Sequence, residues 1–273
     1  MTKKAMLVVS FGTSYHETRK KNIDAIESEM KNRFPDYRHH RAFTSGMIMK
    51  KLKNRDELHI HNVREALEFL KEEGVEEVVV VPTHIINGYE FEKVIWACQE
   101  NSRSFHKLTI SRPLLSTTDD FREVVEILDE VYDFHDGKAV IFMGHGSEHH
   151  ANTAYPAMNF MLQDTGRGNA YIATVEGYPS FDMAVNFLEK KALEEVKLVP
   201  LMLVAGDHIE EDMLGDDEKS WKSILLNKGY HVEGILAGLG ELPKIRQIYC
   251  RHVEEAIAGK GLTMKGGKTH GVY

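Results

Sequence analysis

The chain has 273 residues, 42% hydrophobic and 28% charged, which suits one large α/β domain or two of about 130 residues each. A formal net charge of −8 gives no electrostatic reason to bind nucleic acid, and no apolar run approaches the length of a membrane span. Only Cys98 and Cys250 are present, so a disulfide framework is disfavoured and a reduced cytoplasmic setting is the simplest reading.

The opening MTKKAMLVVSFG places two lysines before apolar residues, but the apolar part is too short for a signal peptide and no small-residue cleavage site follows. Residues 5–9 (AMLVV) predict a buried strand ending in Ser10-Phe11-Gly12, and Thr18 is placed to cap a helix running to about Arg33. A second strand is expected over 37–42, then a turn at Thr44-Ser45-Gly46. Residues 62–73 carry Val63, Ala66, Leu67 and Leu70 at the spacing of an amphipathic helix. Four valines at 78–81, closed by Pro82, predict a third strand. A helix over 91–99, a short strand over 108–110 and a helix over 119–132 complete the first half.

The second half repeats the rhythm. Strands are expected over 139–143, 171–175, 196–204 and 232–236, with helices over 154–162, 181–193, 220–226 and 243–257. Strands alternating with helices imply parallel sheets with helices on both faces. The tail from Gly259, rich in glycine and lysine, is expected to be mobile.

The halves also match in detail. VVSFGTS after the first strand resembles FMGHGSE in the second half, setting Phe11 on His145 and Gly12 on Gly146. Pro82 lies six residues before Gly88, as Pro200 lies six before Gly206, and two positions after those glycines stand Glu90 and His208. The reading is an α/β protein of two similar domains, 1–136 and 137–273, each a parallel sheet flanked by helices. The strand-tip loops face an interdomain cleft, where small-molecule sites gather.

The most informative stretch is 138–150, KAVIFMGHGSEHH. Two glycines around His145 allow a sharp turn and leave the imidazole at the carboxyl end of a strand, where open α/β sheets bind ligands. Glu176 and His208 follow at intervals of one strand–helix unit, so all three are expected at one sheet edge. Two imidazoles and a carboxylate suit a divalent transition metal and leave coordination positions open. Taken singly, each residue reads as a turn or capping residue before it reads as a ligand; it is the set of three that points to chemistry. His149 and His150 add two donors, with solvent exposure expected for at least one. His84 reads either as a core histidine or as a ligand. Lys50, Lys51, Lys53 and Arg55, with Arg41 nearby, form a basic cluster that reads as a solvated helix face or as a dock for a polycarboxylate.

Nucleotide signals fail. GLTMKGGKT at 261–269 has P-loop spacing off by one residue with no helix after it, and Gly238-Leu239-Gly240 lacks the third glycine of a dinucleotide fingerprint. There is no GxSxG elbow. Neither ATP nor a nicotinamide cofactor is expected.

Longer stretches carry a family resemblance. SFGTSYHET at 10–18, FTSGMI at 43–48, HIINGYEFEK at 84–93, PLLS at 113–116 and FMGHGSEHHA at 142–151 resemble the anaerobic-type sirohydrochlorin cobalt chelatases. So do VEGYP at 175–179, PLMLVAGDHIEEDM at 200–213, DDEKSWK at 216–222 and GLGE at 238–241, and the likeness covers about residues 4–258. It implies the two-domain fold of class II tetrapyrrole chelatases and ATP-independent insertion of Co²⁺ into sirohydrochlorin on the anaerobic route to cobalamin. The family's metal ligands fall on His145, Glu176 and His208, with His145 also the proton acceptor. Glu90 is a further residue near the metal, and Ser10, Phe11, Gly88, Tyr89 and Arg41 are substrate-side or auxiliary positions. Some members read GDEYE where this chain has GYEFE, and VESYP where it has VEGYP. The glycine at 177 is therefore expected to loosen the turn beside Glu176. Insertion of Fe²⁺ or Ni²⁺ by the same fold, and a non-catalytic cobalt or nickel carrier, are the alternatives. The implied partners are sirohydrochlorin and a divalent metal, with no nucleic acid, no membrane, and an oligomer of identical chains left open.

Overall fold

A strand covered on both faces needs an unbroken apolar run. AMLVV supplies one, and in the computed structural model, which describes residues 2–206, 209–265 and 268–270, it becomes β1 (Lys4–Ser10), with Ala5 to Val9 buried. β1 lies between β2 (Arg38–Phe43) and β3 (Glu77–Pro82), parallel to both, and β3 pairs in parallel with β4 (Lys107–Ile110). The connections are helical. α1 (His16–Arg19) passes through a π-helical stretch, Lys20–Asp24, into α2 (Ala25–Arg33). Thr18 lies inside α1 rather than capping it; the N-cap position is Tyr15, which makes no side-chain cap.

α3 (Gly46–Asp56) is capped by Ser45, whose Oγ accepts from Ile48 N–H. α4 (Val63–Glu72) opens on a capping box in which Asn62 and Glu65 satisfy each other's backbone N–H. Its stripe of Val63, Ala66, Leu67 and Leu70 packs into the first core, and α5 (Tyr89–Asn101) adds Phe91, Val94 and Cys98.

The second sheet is built from β5 (Ala139–Gly144), β6 (Ala170–Thr174), β7 (Glu195–Pro200) and β8 (His231–Gly234), in the order β6-β5-β7-β8 and parallel throughout. Its helices are α6 (Thr118–Tyr132), α7 (Ala154–Asp164), α8 (Phe181–Lys191) and α9 (Trp221–Asn227). β7 stops at Pro200, four residues before the expected end.

The chain divides into two compact units, 1–117 with 243–273, and 118–242. This division differs from a cut between residues 136 and 137. α6 belongs with the second unit, while α10 (Pro243–Glu255) returns to the first. There Ile245, Ile248, Tyr249 and Val253 are buried, and the Tyr249 hydroxyl donates to Thr83 O at 2.8 Å. The stretch expected to be mobile instead forms β9 (Leu262–Lys265) and β10 (Lys268–His270). β9 pairs antiparallel with β4, giving the sheet order β10-β9-β4-β3-β1-β2. Leu262 and Met264 enter the core of the first unit.

The sequence repeat holds at the level of single backbone bonds. Thr83 N donates to Val9 O and Leu201 N to Met143 O; Thr44 N donates to Ser10 O and Val175 N to Gly144 O. Ser45 N bonds Phe11 O at 3.2 Å, and Glu176 N bonds His145 O at 2.8 Å. Leu114 and Leu115 bond the carbonyls of His84 and Ile85, as Leu239 and Gly240 bond those of Met202 and Leu203. Phe11 and Ser45 therefore hold, in the first unit, the places of His145 and Glu176 in the second.

Candidate metal and tetrapyrrole site

His145 and Glu176 stand at the carboxyl ends of β5 and β6, neighbouring strands of one sheet. Both are exposed, and the Glu176 N–H donates to the His145 carbonyl, so the two donors share a turn-to-turn contact. The turn depends on Gly146, which sits at φ +84° with its Cα against the loop that carries Glu176. A Cβ there would lie 2.8 Å from both the Glu176 carbonyl carbon and the Thr174 side chain. Gly12, its counterpart, has φ +102° and faces the Phe43 ring in the same way. Tyr155, buried against Gly144, engages the Gly146 backbone, and burial pushes its hydroxyl up to about 12.

Asn152 joins the loops that carry His145 and Glu176. Its Oδ1 accepts from Ser147 N at 3.0 Å and its Nδ2 donates to Tyr178 O at 2.6 Å. The same Oδ1 lies 2.8 Å from where a Gly177 Cβ would stand, so Gly177 marks a close approach of two loops rather than a loosened turn. Sequence reasoning passed over Asn152 because its role is to hold other loops, and no spacing announces that.

His145 Nδ1 contacts the Gly146 carbonyl at 2.9 Å. A carbonyl only accepts, so Nδ1 carries a hydrogen, and it is Nε2 that holds the lone pair in the neutral ring. His149 is buried, its Nδ1 accepting from Ala151 N at 3.1 Å, while His150 is exposed and its ring lies 4.0 Å from that of His149. His208 lies outside the described residues. Its neighbourhood is described from Ile209 onward: Ile209 N and Glu210 N both bond Gly206 O, as Glu92 N bonds Gly88 O in the first unit.

In the first unit Glu90 lies in the opening turn of α5, one oxygen paired with Lys93 at 2.5 Å. Its other oxygen is buried and, among the described residues, has no hydrogen-bond partner; the same holds for both ring nitrogens of His84. Burial pulls His84 down to about 4 even though the Glu90 charge opposes this, so the ring is neutral at pH 7. Gly88 precedes α5 in extended conformation with ordinary room for a Cβ, and Tyr89 is exposed. Phe11, at 43% exposed, and Met47, at 79%, are exposed near the same strand ends. Met47 was not singled out from sequence; a methionine in a helical stretch looks like core until its exposure is seen.

Two substrate-side expectations change. Ser10 is fully buried with its hydroxyl 2.8 Å from that of Thr83, so it orders the strand tip instead of facing a ligand. Arg41 is held by Glu27 at 2.6 Å and by Asp24, so its charge is already answered within the first unit. On α3, Lys50, Lys51 and Lys53 are exposed, Lys51 lies 5.5 Å from the centre of the Tyr15 ring, and Arg55 pairs with Asp56 and the Ser14 carbonyl.

Residues 4–258 match the family described as cobalt chelatase (CbiK). The chain belongs to the cobalt chelatase family. It is 41% identical over 256 residues to the sirohydrochlorin cobaltochelatase of Salmonella typhimurium, covering 93% of this chain and 97% of that one. To sirohydrochlorin cobaltochelatase CbiKC of Nitratidesulfovibrio vulgaris it is 29% identical, over 94% of this chain and 92% of the relative. The chelatase fold is seen again in SirB from Bacillus subtilis with Fe³⁺, at TM-score 0.65 and 15% identity over 94% of this chain and 97% of that one. CbiX, the terminal enzyme of siroheme biosynthesis in denitrifying bacteria, superposes at TM-score 0.54 and 14% identity, covering 92% of this chain and 99% of its own. Among the described residues no helix is long and apolar enough to cross a membrane.

Proposed function

We propose that this cobalt chelatase family member inserts Co²⁺ into sirohydrochlorin without ATP, as a sirohydrochlorin cobaltochelatase of anaerobic cobalamin synthesis. The observation that carries the reading is the junction of His145 and Glu176 on adjacent strand ends, one backbone bond apart. Family membership gives that junction its chemistry.

In this reading His145, through Nε2, binds the incoming Co²⁺ together with Glu176 and His208, replacing part of its water shell. Imidazole and carboxylate suit a borderline cation and leave positions open for the pyrrole nitrogens. Insertion releases two pyrrole protons for each cation taken up. One nitrogen cannot hold metal and proton together, so His145 accepts a proton once Co²⁺ has passed to the macrocycle. The buried Glu90 oxygen serves the other proton, while the His84 ring, held neutral by burial, takes none near pH 7. Exposed side chains of the first unit suit a tetrapyrrole in kind: Phe11, Met47 and Tyr89 are apolar or aromatic, and Lys50 and Lys53, one helical turn apart, carry charge of the sign that its carboxylates need.

Absorbance of the tetrapyrrole during turnover tests the reading. His145→Ala is expected to lose Co²⁺ insertion by at least a hundredfold with the far-UV spectrum unchanged. Near-normal turnover in that variant sinks the mechanism. A native protein that binds Co²⁺ but leaves the sirohydrochlorin spectrum unchanged is a carrier and not a chelatase.

A further inference from the structure

The outer edge of the first sheet carries a group of imidazoles that the proposed reaction does not use. β2 is the last strand of its sheet, and residues 59–62 run beside it: Phe43 N donates to His61 O at 3.0 Å, and Phe43 bridges Asn62. This pairing gathers His39 and His40 with His59 and His61 around a cavity of about 370 Å³, whose other walls include Glu27, Lys31 and Arg41.

Two of these rings already face each other. His40 Nε2 lies 3.0 Å from His61 Nδ1, with ring centres 5.2 Å apart. The His59 ring stands edge-on to His61 at 5.1 Å, and His40 stacks on Phe69 at 5.0 Å, which fixes its plane. Nitrogens bound to one first-row cation at about 2.0–2.1 Å stand about 2.9–3.4 Å apart in octahedral or tetrahedral geometry. The spacing of the pair falls within that interval. Among the described residues no three imidazole, thiol or carboxylate groups already stand as a complete ligand set. The pair is thus the preformed part, and the exposed His59 is the arm that turns in.

The surroundings permit a cation. Arg41, in the wall, is neutralised by Glu27 and Asp24, and the nearby Arg38 is paired with Glu73 at 2.5 Å, which leaves Lys31 as the remaining cation of the wall.

We propose that His40 and His61, completed by His59, form a second site for a borderline divalent cation of the Co²⁺, Ni²⁺ or Zn²⁺ class, distinct from the strand-end ligands. The proposal does not depend on the chelatase reading. On binding, the hydrogen shared by the two facing nitrogens moves to the far nitrogen of its own ring. Both imidazoles stay neutral and the site gains only the charge of the cation.

The test titrates Co²⁺ alone into the full-length protein carrying His145→Ala, followed by the visible d–d bands of bound cobalt. Bands that saturate, and whose affinity falls at least tenfold when His59→Ala is added and more when His61→Gln is added, support the site. His61→Gln removes the partner of the half-buried His40 and can disturb the edge; the exposed His59→Ala is the folded comparison, checked by far-UV circular dichroism. No Co²⁺ uptake by the His145→Ala protein, or equal affinity with and without His59→Ala and His61→Gln, overturns the proposal. His59→Ala alone is expected to leave chelatase turnover unchanged, so loss of this site and failure of the strand-end reading give different results.

Discussion

A methyl group at position 146 has nowhere to go. It would overlap the Glu176 backbone at 2.8 Å, and φ of +84° is strained for any residue with a Cβ. Gly146→Ala is expected to cost about 2–4 kcal/mol, combining the backbone and overpacking penalties, and to lower turnover at least tenfold by displacing Glu176. Gly12→Ala meets the buried Phe43 ring at 2.6 Å and serves as the control: similar loss of stability in urea, with Co²⁺ affinity at the strand-end ligands retained. His84 makes a second prediction at this scale. Its folded pKa of about 4 lies below the ordinary value of 6.5, so the unfolded chain binds more protons between those values. Stability therefore falls as pH drops from about 6.5 toward 4, by at most about 3 kcal/mol. His84→Met, which copies the residue at the equivalent place in the second unit, is expected to flatten that limb of the pH–stability curve. The strand-tip places of His145 and Glu176 are legible in the chain, because an apolar run broken by glycine marks where a strand ends. Asn152 and Tyr155 act by touching other loops, Ser10 turned inward, and Arg41 found two acids from α2 and the residue before it; each outcome depends on partners distant in sequence.

At the scale of elements, periodicity carried most of the description. AMLVV, the four valines and the stripe on α4 each meet one face or two of a core, and the two strands and the helix they imply are there. What misled was local chemistry without its tertiary partner. Thr18 has the type of a helix cap but follows a turn that begins the helix earlier, at His16. The glycine- and lysine-rich tail has the composition of a mobile end, yet Leu262 and Met264 at alternate positions find the open edge of β4. One buried hydroxyl adds to the apolar anchoring of α10: Tyr249→Phe, which leaves the Thr83 carbonyl without that donor, is expected to cost about 1–2 kcal/mol. Thermal unfolding monitored in the full chain checks this, and an unchanged melting temperature would show that the bond contributes nothing.

At the scale of the molecule the two sheets repeat one order, second strand, first, third, fourth, and the repeat gives the first unit strand-end places equivalent to those of His145 and Glu176. Only the second keeps His145 and Glu176 there; the first has Phe11 and Ser45. The units also differ in how they are assembled from the chain. The second is one continuous segment, 118–242, whereas the first needs 243–273 as well. Expressed alone, 118–242 is expected to melt cooperatively and to bind Co²⁺ weakly through its ligand set, while 1–117, lacking α10 and β9, stays unfolded until 243–273 is supplied in trans. A cooperative melt of 1–117 by itself contradicts this account.

That discontinuity sets an order of events on the ribosome. The first unit begins synthesis first, but its outer helix and fifth strand are made last, after the whole second unit has emerged. At about 5–20 residues per second, the interval is on the order of ten seconds. Through that time β4 presents an unpaired edge and Tyr249 has not yet reached Thr83. The half of the protein synthesised second is therefore the half that can finish folding first, and the nascent first half is the one that needs chaperone cover.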